Sequence, residues 1–218
     1  METMFAQSIR FLHDKPDVLL AAFNGQLYLV AVSSALTTIL GVSLAIVIHR
    51  LPRLRQPVLK TAGVLYTIPI LALFGLLIPL LGIGDFPALV ALVIYGILPV
   101  LYNTRSGLAD IDPAIIEAAR GMGAGGWQLL WRVELPLAFP KIIAGIRTSV
   151  VMNISVATFA VFIGAGGLGT VILQGIRTFH DGMLLTGTLL VAITAVTAER
   201  ALSWLERRAA RSINGTPD

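Results

Sequence analysis

LYLVAVSSALTTILGVSLAIVI, the stretch at residues 27–48, is predominantly apolar and contains no charged side chain. A helix of about 20 apolar residues is long enough to cross the hydrocarbon core of a bilayer, which is roughly 30 Å thick. The stretch therefore predicts a transmembrane helix.

The composition of the whole chain supports this prediction. Of its 218 residues, 56% are hydrophobic and only 13% are charged. A soluble domain has about 45–50% apolar and about 25% charged residues. The comparison indicates that lipid is the main solvent, and it predicts an all-α integral membrane protein.

Further apolar segments give five predicted spans in all. A Gly-Ile-Gly-Asp turn separates the second span from the third. Prolines lie within the second and third spans, where neighbouring helices can re-satisfy the carbonyls that a proline frees, so kinks are expected. The further spans are residues 61–81, residues 86–104, the uncharged stretch between Arg147 and Arg177, and residues 183–198 extending towards Leu205; the prolines are Pro69, Pro79 and Pro99.

The basic residues predict the orientation of the chain. Cytoplasmic loops carry an excess of Lys and Arg, which is the positive-inside rule. If the N-terminus lies outside, only Arg10, Lys15 and Arg177 of the 16 Lys and Arg residues fall on the outer side. The rule therefore predicts an outer N-terminus and a cytoplasmic C-terminus.

The predicted orientation divides the chain into three parts. The first, residues 1–24, is an outer interfacial lead-in and not a cleaved signal peptide, because charges such as Arg10, Asp14 and Lys15 interrupt any apolar core. The others are a membrane domain at 25–205, which includes a cytoplasmic loop at 105–141, and a cytoplasmic tail at 206–218.

The cytoplasmic loop between spans three and four predicts two short helices. Asp112 followed by Pro113 is a helix start, with a side-chain acceptor at the N-cap and proline at the first helical position. The glycines within 121–126 end that helix and permit positive φ. A second short helix is predicted at 127–133, closed by the Leu-Pro pair at 135–136.

Large apolar residues stand out in this polar loop. Exposed apolar patches mark interaction sites, so Trp127, Leu130 and Trp131 favour docking on a partner. The alternative is that the loop packs beneath the helix bundle. The residues alone leave both interpretations open.

The loop resembles the EAA loop of binding-protein-dependent ABC importer permeases. That pattern reads E-A-A, three residues, G, nine residues, I, one residue, L-P. One position differs, where a valine replaces the usual isoleucine. The matching residues are Glu117, Ala118, Ala119, Gly123, Val133, Leu135 and Pro136.

Other runs extend the resemblance over most of the chain. The runs TIPILALFGLLIPLLGIG at 67–84, LYNTRSGL at 101–108 and IGAGGLG at 163–169 are similar to the osmoprotectant branch of this family. The substrates of that branch are glycine betaine, choline and carnitine. Methionine-type permeases share the five-span plan and parts of these runs, so a permease for methionine or another amino acid is the alternative.

The resemblance implies a non-enzymatic subunit of a bacterial inner membrane that works with partners. A separate ATPase subunit would bind ATP and Mg, a substrate-binding protein would deliver cargo, and a second permease copy or a homologue would complete the pathway. This chain itself would hold no cofactor. The alternative for Glu117 is a solvated position on the helix, without contact to the ATPase. The expected ATPase-coupling residues are Glu117, Ala118, Ala119, Gly123, Leu135 and Pro136.

Polar residues inside the spans are candidates for the translocation pathway, because they are costly in lipid unless they have partners. Asn153, whose amide is near mid-span, is the strongest candidate, and its alternative role is an interhelical hydrogen bond. The hydroxyls of the fourth span can bond to carbonyls of their own helix. Glycines at the outer end of that span permit a gate, a close helix contact or a plain turn. The pathway candidates are Tyr66, Thr67, Asn153, Ser155 and Thr158, and the gate candidates are Gly164, Gly166, Gly167 and Gly169.

Several other functions are excluded by the sequence. The G-x-G-x-x-G matches at 121–126 and 164–169 follow no strand of a βαβ unit, so they do not indicate dinucleotide binding, and no P-loop occurs. There is no Cys and the three His are far apart, so no metal site is predicted. The basic residues form no stripe of the kind that binds nucleic acid.

Two rival classes remain at this point. A secondary transporter or channel needs no ATPase, but it predicts inverted repeats and broken half-helices. No such repeat is visible, and the EAA loop would have no explanation. A structural or signalling membrane protein is the other rival.

Overall fold

The computed structural model describes residues 4–214, and no strand occurs among them. Residues 1–3 of the predicted lead-in and 215–218 of the predicted tail lie outside the described residues. The helices are α1 (Met4–Asp14), α2 (Pro16–Arg50), α3 (Pro52–Thr67), α4 (Ile70–Leu81), α5 (Asp85–Ala109), α6 (Pro113–Gly121), α7 (Gly126–Leu129), α8 (Leu135–Ala157), α9 (Gly169–Thr178) and α10 (Asp181–Asn214), with a π-helical turn at Leu130–Glu134 and a 3₁₀ turn at Thr158–Ile163.

Four helical segments of the described chain are long and apolar enough to cross a membrane, and the bent pair of α3 and α4 supplies a fifth span if it is counted as one. The all-α membrane fold with about five spans is thereby confirmed. The helices extend beyond the apolar stretches on which the prediction depended. The four segments are Pro16–Arg50, Asp85–Ala109, Gly126–Ile163 and Asp181–Arg211.

The kink expected at Pro69 is a complete break. The helices α3 and α4 meet there at an angle of 100°. Proline has no N–H to donate, and it pushes the preceding residue out of the helical region, so Ile68 takes φ −69° and ψ 123°. The hydroxyl of Tyr95 on α5 donates to the Ile68 carbonyl oxygen at this break. Pro79 and Pro99 lie inside α4 and α5 without ending them.

Arg147, which borders the uncharged stretch that was predicted to hold the fourth span, lies inside α8 and not at its end. Its guanidinium forms ion pairs with Glu199 and Glu206 of α10, each at 3.3 Å. Charged residues are tolerated within membrane segments when they pair with each other. The acidic partners on α10 therefore allow the helix to continue through this position.

The centre of the bundle is formed by α2, α5 and α8, which make the most extensive helix contacts in the described chain. Small residues allow the close approach. A Cβ added at Gly96 of α5 would lie 2.7 Å from the Ser149 Oγ and 2.9 Å from the Thr37 Oγ1. A Cβ at Gly145 of α8 would lie 3.0 Å from the Pro99 carbonyl oxygen. Membrane helices associate through such close packing, since lipid gives them no hydrophobic drive to do so.

The predicted lead-in contains a helix that packs against the last span. α1 buries Ser8 and Phe11 and lies along α10. The Ser8 hydroxyl donates to the Gly182 carbonyl oxygen at 3.3 Å. Phe5 and Ile9 are exposed on the opposite face. Because α2 begins at Pro16, the later residues of the predicted lead-in belong to the first spanning helix.

Gly145→Ala tests the contact between α5 and α8. The added Cβ would lie 2.8 Å from the Asn103 Cβ and 3.0 Å from the Pro99 carbonyl oxygen, so the helices must move apart, and such overpacking costs about 1–3 kcal/mol. We expect a lower unfolding temperature for the purified chain in detergent micelles. Gly75→Ala is the matched control, because nothing lies within 4 Å of its added Cβ. Equal unfolding temperatures for the two variants would contradict this contact.

Candidate functional site

The first helix of the loop begins as the sequence predicts. The Asp112 Oδ1 accepts a hydrogen bond from the Ala114 amide at 2.8 Å, and Pro113 occupies the first helical position. This cap satisfies one of the amides that the start of a helix leaves unpaired. Helix α6 therefore has a defined start and orientation.

A left-handed glycine ends the same helix. Gly123 has φ +85°, and its amide donates to the Arg120 carbonyl oxygen at 2.9 Å. The Ala124 amide donates to the Ala119 carbonyl oxygen at 3.1 Å. The two bonds form a Schellman motif, which requires a residue that tolerates positive φ. The sequence therefore predicted both ends of α6 from local chemistry.

The surface of the loop is exposed and partly apolar. Glu117 and Ala118 are exposed, whereas Ala119 is only 5% exposed. Met122, Trp127 and Trp131 are exposed, by 83%, 72% and 55%, whereas Leu130, the third apolar residue singled out in the sequence, is buried. Packing beneath the bundle would bury such side chains. Their exposure favours the interpretation in which the loop docks on a partner.

The predicted end of the second short helix at the Leu-Pro pair is corrected by the structure. The helix runs on without a break from Gly126 to Ile163. A π-helical turn at Leu130–Glu134 shifts the bonding pattern, and the Leu135 amide donates to the Leu130 carbonyl oxygen. Single π turns of this kind occur inside α-helices. Pro136, which has no N–H, then sits in the first turn of α8, where proline is tolerated.

Glu134 in this π turn is a buried carboxylate, only 4% exposed. Its Oε2 accepts a hydrogen bond from Arg50 at 3.0 Å, and its Oε1 lies 3.6 Å from the His49 Nε2. Arg50 also donates to the Gly126 carbonyl oxygen at 2.9 Å. The end of α2 is thus joined to both ends of the segment that links the glycine turn to α8.

A second ion pair joins the end of α5 to α8. Lys141 donates to the Asp110 carboxylate, and the Ser106 hydroxyl donates to the same oxygen at 3.0 Å. The hydrogen bond from Lys141, followed by that from Ser106, holds the pKa of the Asp110 carboxyl below its ordinary value. This pair is exposed on both sides, so it contributes little to stability.

Asn153, the strongest pathway candidate, lies in the interior of the bundle and is 0% exposed. Its Nδ2 donates to the Ser33 Oγ on α2 at 3.3 Å. Its Oδ1 has no partner among the described residues, and neither have the nearby Thr37 Oγ1 and Ser149 Oγ. The structure therefore gives Asn153 the interhelical hydrogen bond that was its alternative role.

The other pathway candidates lie at the surface of the single chain. Tyr66, Thr67 and Ser155 are exposed and Thr158 is partly exposed. The three smaller hydroxyls donate to carbonyls of nearby residues in their own segments. The Tyr66 ring lies 5.7 Å from the Tyr95 ring. This set is called the pathway face below.

The glycine run at 164–169, called the gate turn below, is non-helical up to Leu168, and its last residue, Gly169, begins α9. Gly164 and Gly167 have positive φ. A Cβ at Gly169 would clash with the Thr158 carbonyl oxygen, so this position needs glycine. Gly166 has open space around it. The turn is held against the first span, since a Cβ on Gly25 would lie 3.0 Å from the Gly167 nitrogen.

Gln26 fastens the gate turn to two helices and is 0% exposed. Its Oε1 accepts from the Leu168 amide at 3.2 Å, and its Nε2 donates to the Ile154 carbonyl oxygen at 2.8 Å. In a regular α-helix the Ile154 carbonyl oxygen would accept from the Thr158 amide. Here the 3₁₀ turn begins and the Thr158 amide donates to the Ser155 carbonyl oxygen instead, so the Ile154 carbonyl oxygen is left for Gln26. One amide side chain thereby satisfies two backbone groups that the irregular segment leaves open.

Sequence reasoning missed Gln26, Arg50 and Glu134. Gln26 directly precedes the first predicted span, and an amide at the edge of an apolar helix was the available signal. Arg50 was counted only for orientation. Glu134 occupies the one unspecified position between the valine and the Leu-Pro pair of the loop pattern. Within residues 4–214, no group of three or more His, Asp or Glu could hold a metal ion.

A family model described as the binding-protein-dependent transport system inner membrane component matches residues 37–211. The osmoprotectant import permease protein OsmW of Salmonella typhimurium is 43% identical over 206 residues, which cover 92% of this chain and 94% of that protein. The glycine betaine/carnitine/choline transport system permease protein OpuCB of Bacillus subtilis is 36% identical over 202 residues, which cover 93% of each chain.

The fold is also similar to that of a solved transporter. An inward-facing structure of the MetNI methionine ABC transporter matches with a TM-score of 0.82, covering 90% of this chain and 98% of that chain. The identity is 21%, so this likeness concerns the fold alone.

These matches confirm the predicted ABC importer permease. They exclude the secondary transporter, although the second span is broken, and they exclude a structural or signalling protein. ATP hydrolysis accordingly belongs to a partner subunit. The chain belongs to the family of binding-protein-dependent transport system inner membrane components, the permeases of ABC importers.

Proposed function

We propose that this chain is the permease of an importer for small osmoprotectants of the quaternary amine class, such as glycine betaine, carnitine and choline. The observation that carries the proposal is the 43% identity to an osmoprotectant import permease, extending over 92% of the chain. The runs at 67–84, 101–108 and 163–169 support the same branch.

The complete importer would contain three kinds of partner. A binding protein would deliver the cargo, an ATPase subunit would bind ATP and Mg, and a second copy of this chain or a homologue would close the pathway. The family description, which names a binding protein, supports the first. The absence of a P-loop in this sequence agrees with a separate ATPase. Lipid surrounds the assembly.

We propose an outer N-terminus and a cytoplasmic C-terminus. The distribution of basic residues supports this orientation through the positive-inside rule. It places the loop at 105–141 and the tail at 206–218 in the cytoplasm, and residues 1–24 on the outer side. The membrane domain at 25–205 lies between them.

The coupling helix in this proposal is α6. Glu117 and Ala118 are exposed and would contact the ATPase, where the Glu117 carboxylate can form charge-assisted hydrogen bonds. Ala119 would hold the helix against the chain, and Gly123 would set the direction of the turn. Leu135 and Pro136 would join the segment to α8, since the helix continues through them.

The pathway face would line the route of the cargo between two permease chains. Its Tyr66, Thr67 and Ser155 side chains are exposed in the single chain, and exposed polar groups are disfavoured in lipid. The rings of Tyr66 and Tyr95 add aromatic surface, which attracts quaternary ammonium groups. Asn153 would support the face from behind. The gate turn, with Gly164, Gly166, Gly167 and Gly169, would close the outer end.

Gly123→Asp tests the coupling role of α6. Aspartate at φ +85° strains the turn and adds a charge to the proposed contact surface. We expect uptake to be abolished while the unfolding temperature of the chain changes little, because the strain is confined to an exposed turn and nothing lies within 4 Å of the added Cβ.

The matched control for this variant is Gly125→Asp. It adds the same charge two positions further on, at φ −68°, where an Asp is a favourable N-cap residue. We expect this control to keep most of the uptake. Normal uptake with Gly123→Asp would contradict the coupling assignment.

A ligand panel tests the substrate class. The chain would be reconstituted in lipid nanodiscs with its ATPase subunit and binding protein, and ATP hydrolysis would be measured with glycine betaine, choline, carnitine, methionine and other amino acids. We expect stimulation by the quaternary amines alone. Stimulation by methionine or another amino acid alone would contradict the osmoprotectant proposal and leave the importer intact.

A further inference from the structure

The coupling helix has few direct connections to the bundle. Among the described elements, the short helix α7 is the one that α6 contacts most, and even that contact is small. Movement of α6 must therefore reach the spans through the chain on either side of it, or through α7 and the π turn that follows. Arg50 and Glu134 lie on the second of these routes.

Arg50 connects this route to the first span with two hydrogen bonds. One goes to the Gly126 carbonyl oxygen at the start of α7, and the other goes to the Glu134 carboxylate at the end of the π turn. Arg50 is the last residue of α2, so its guanidinium is favourably placed at the negative end of the helix dipole. The linking segment between Gly126 and Glu134 is thereby fixed to α2 at both of its ends.

Glu134 is more deeply buried than either of the residues that it pairs with. The side chain is 6% exposed, while those of His49 and Arg50 are 26% and 36% exposed. A buried carboxylate is strongly destabilised when the groups that pair with it move away, because its charge is then left uncompensated. Two elements joined in this way are expected to move together.

We infer that Glu134 is a positioning residue that transfers the movement of the coupling helix to α2 through its ion pair with Arg50. The inference depends on the proposed coupling role of α6. The first span would then respond to the ATPase, and so would the gate turn, which Gln26 joins to that span. Glu134 itself need not touch the ATPase or the cargo.

The test compares three variants in the complete importer in nanodiscs. Glu134→Gln removes the charge and keeps the shape. The double variant Arg50→Glu with Glu134→Arg reverses the ion pair. Asp110→Asn is the matched control, since it removes the carboxylate of another ion pair, between the end of α5 and α8.

The first readout is ATP hydrolysis stimulated by glycine betaine with the binding protein, together with substrate transported per ATP. We expect Glu134→Gln to assemble with the ATPase and to lose about tenfold in stimulation, a size typical of coupling between sites. The double variant should recover part of the loss, and Asp110→Asn should behave like the unaltered importer. Unchanged stimulation in Glu134→Gln, or an equal loss in Asp110→Asn, would overturn the inference.

The second readout does not need the cargo. The sequence contains no Cys, so spin labels can be attached through Val47→Cys on α2 and Ala114→Cys on α6, both at exposed positions. We expect the distance between them to stay the same in the nucleotide-free and ATP–vanadate-trapped importer, and to change between these states in Glu134→Gln. A distance that changes equally in both backgrounds would overturn the inference.

The two readouts separate this inference from the proposed function. If glycine betaine gives no stimulation in the unaltered importer, the substrate proposal fails and the spin-label distances still decide the role of Glu134. If Gly123→Asp leaves uptake normal, the coupling assignment of α6 fails, and the inference fails with it.

Discussion

Every backbone amide and carbonyl inside a bilayer needs a hydrogen-bond partner, because the hydrocarbon supplies none. A regular α-helix meets this requirement with its own backbone bonds. This chain departs from regular helix at several places, among them the break at Pro69 and the gate turn. Near two of these places, a side chain from another helix supplies a partner for the backbone, and a third such contact lies in the loop proposed to be cytoplasmic. Tyr95 bonds to the Ile68 carbonyl, Gln26 to the Ile154 carbonyl and the Leu168 amide, and Arg50 to the Gly126 carbonyl.

Two of these side chains belong to the same helix. Gln26 and Arg50 stand about 36 Å apart along α2, from a rise of about 1.5 Å per residue. One rigid element therefore contacts the gate turn near one end and the coupling segment at the other. A ligand or an ATPase can shift a transporter only between conformations that it distinguishes. Because α2 contacts both segments, a movement of the coupling segment can reach the gate turn through this helix.

Local chemistry in the sequence was enough to predict the spans, the Asp112 cap and the left-handed Gly123. Each of these depends on neighbouring residues or on the apolar character of a single stretch. The sharp break at Ile68, the continuous helix through Pro136 and the burial of Glu134 could not be predicted in the same way. The break is joined to Tyr95, the continuous helix depends on a π turn, and the buried Glu134 depends on Arg50. Tyr95 and Arg50 are both distant in sequence from the residues that they contact. The family resemblance supplied the coupling loop, but its pattern leaves position 134 unspecified.

The most direct test of this account is hydrogen–deuterium exchange of the gate turn in Gln26→Leu, with Gln174→Leu as the control at an exposed position. Leucine keeps the approximate size of the side chain but leaves the Leu168 amide and the Ile154 carbonyl without this partner. The account predicts faster exchange across residues 164–170 in Gln26→Leu and unchanged exchange in the control. Equal exchange in the two variants would show that the gate turn holds its place without Gln26, and it would contradict the claim that crossing side chains fix the irregular segments.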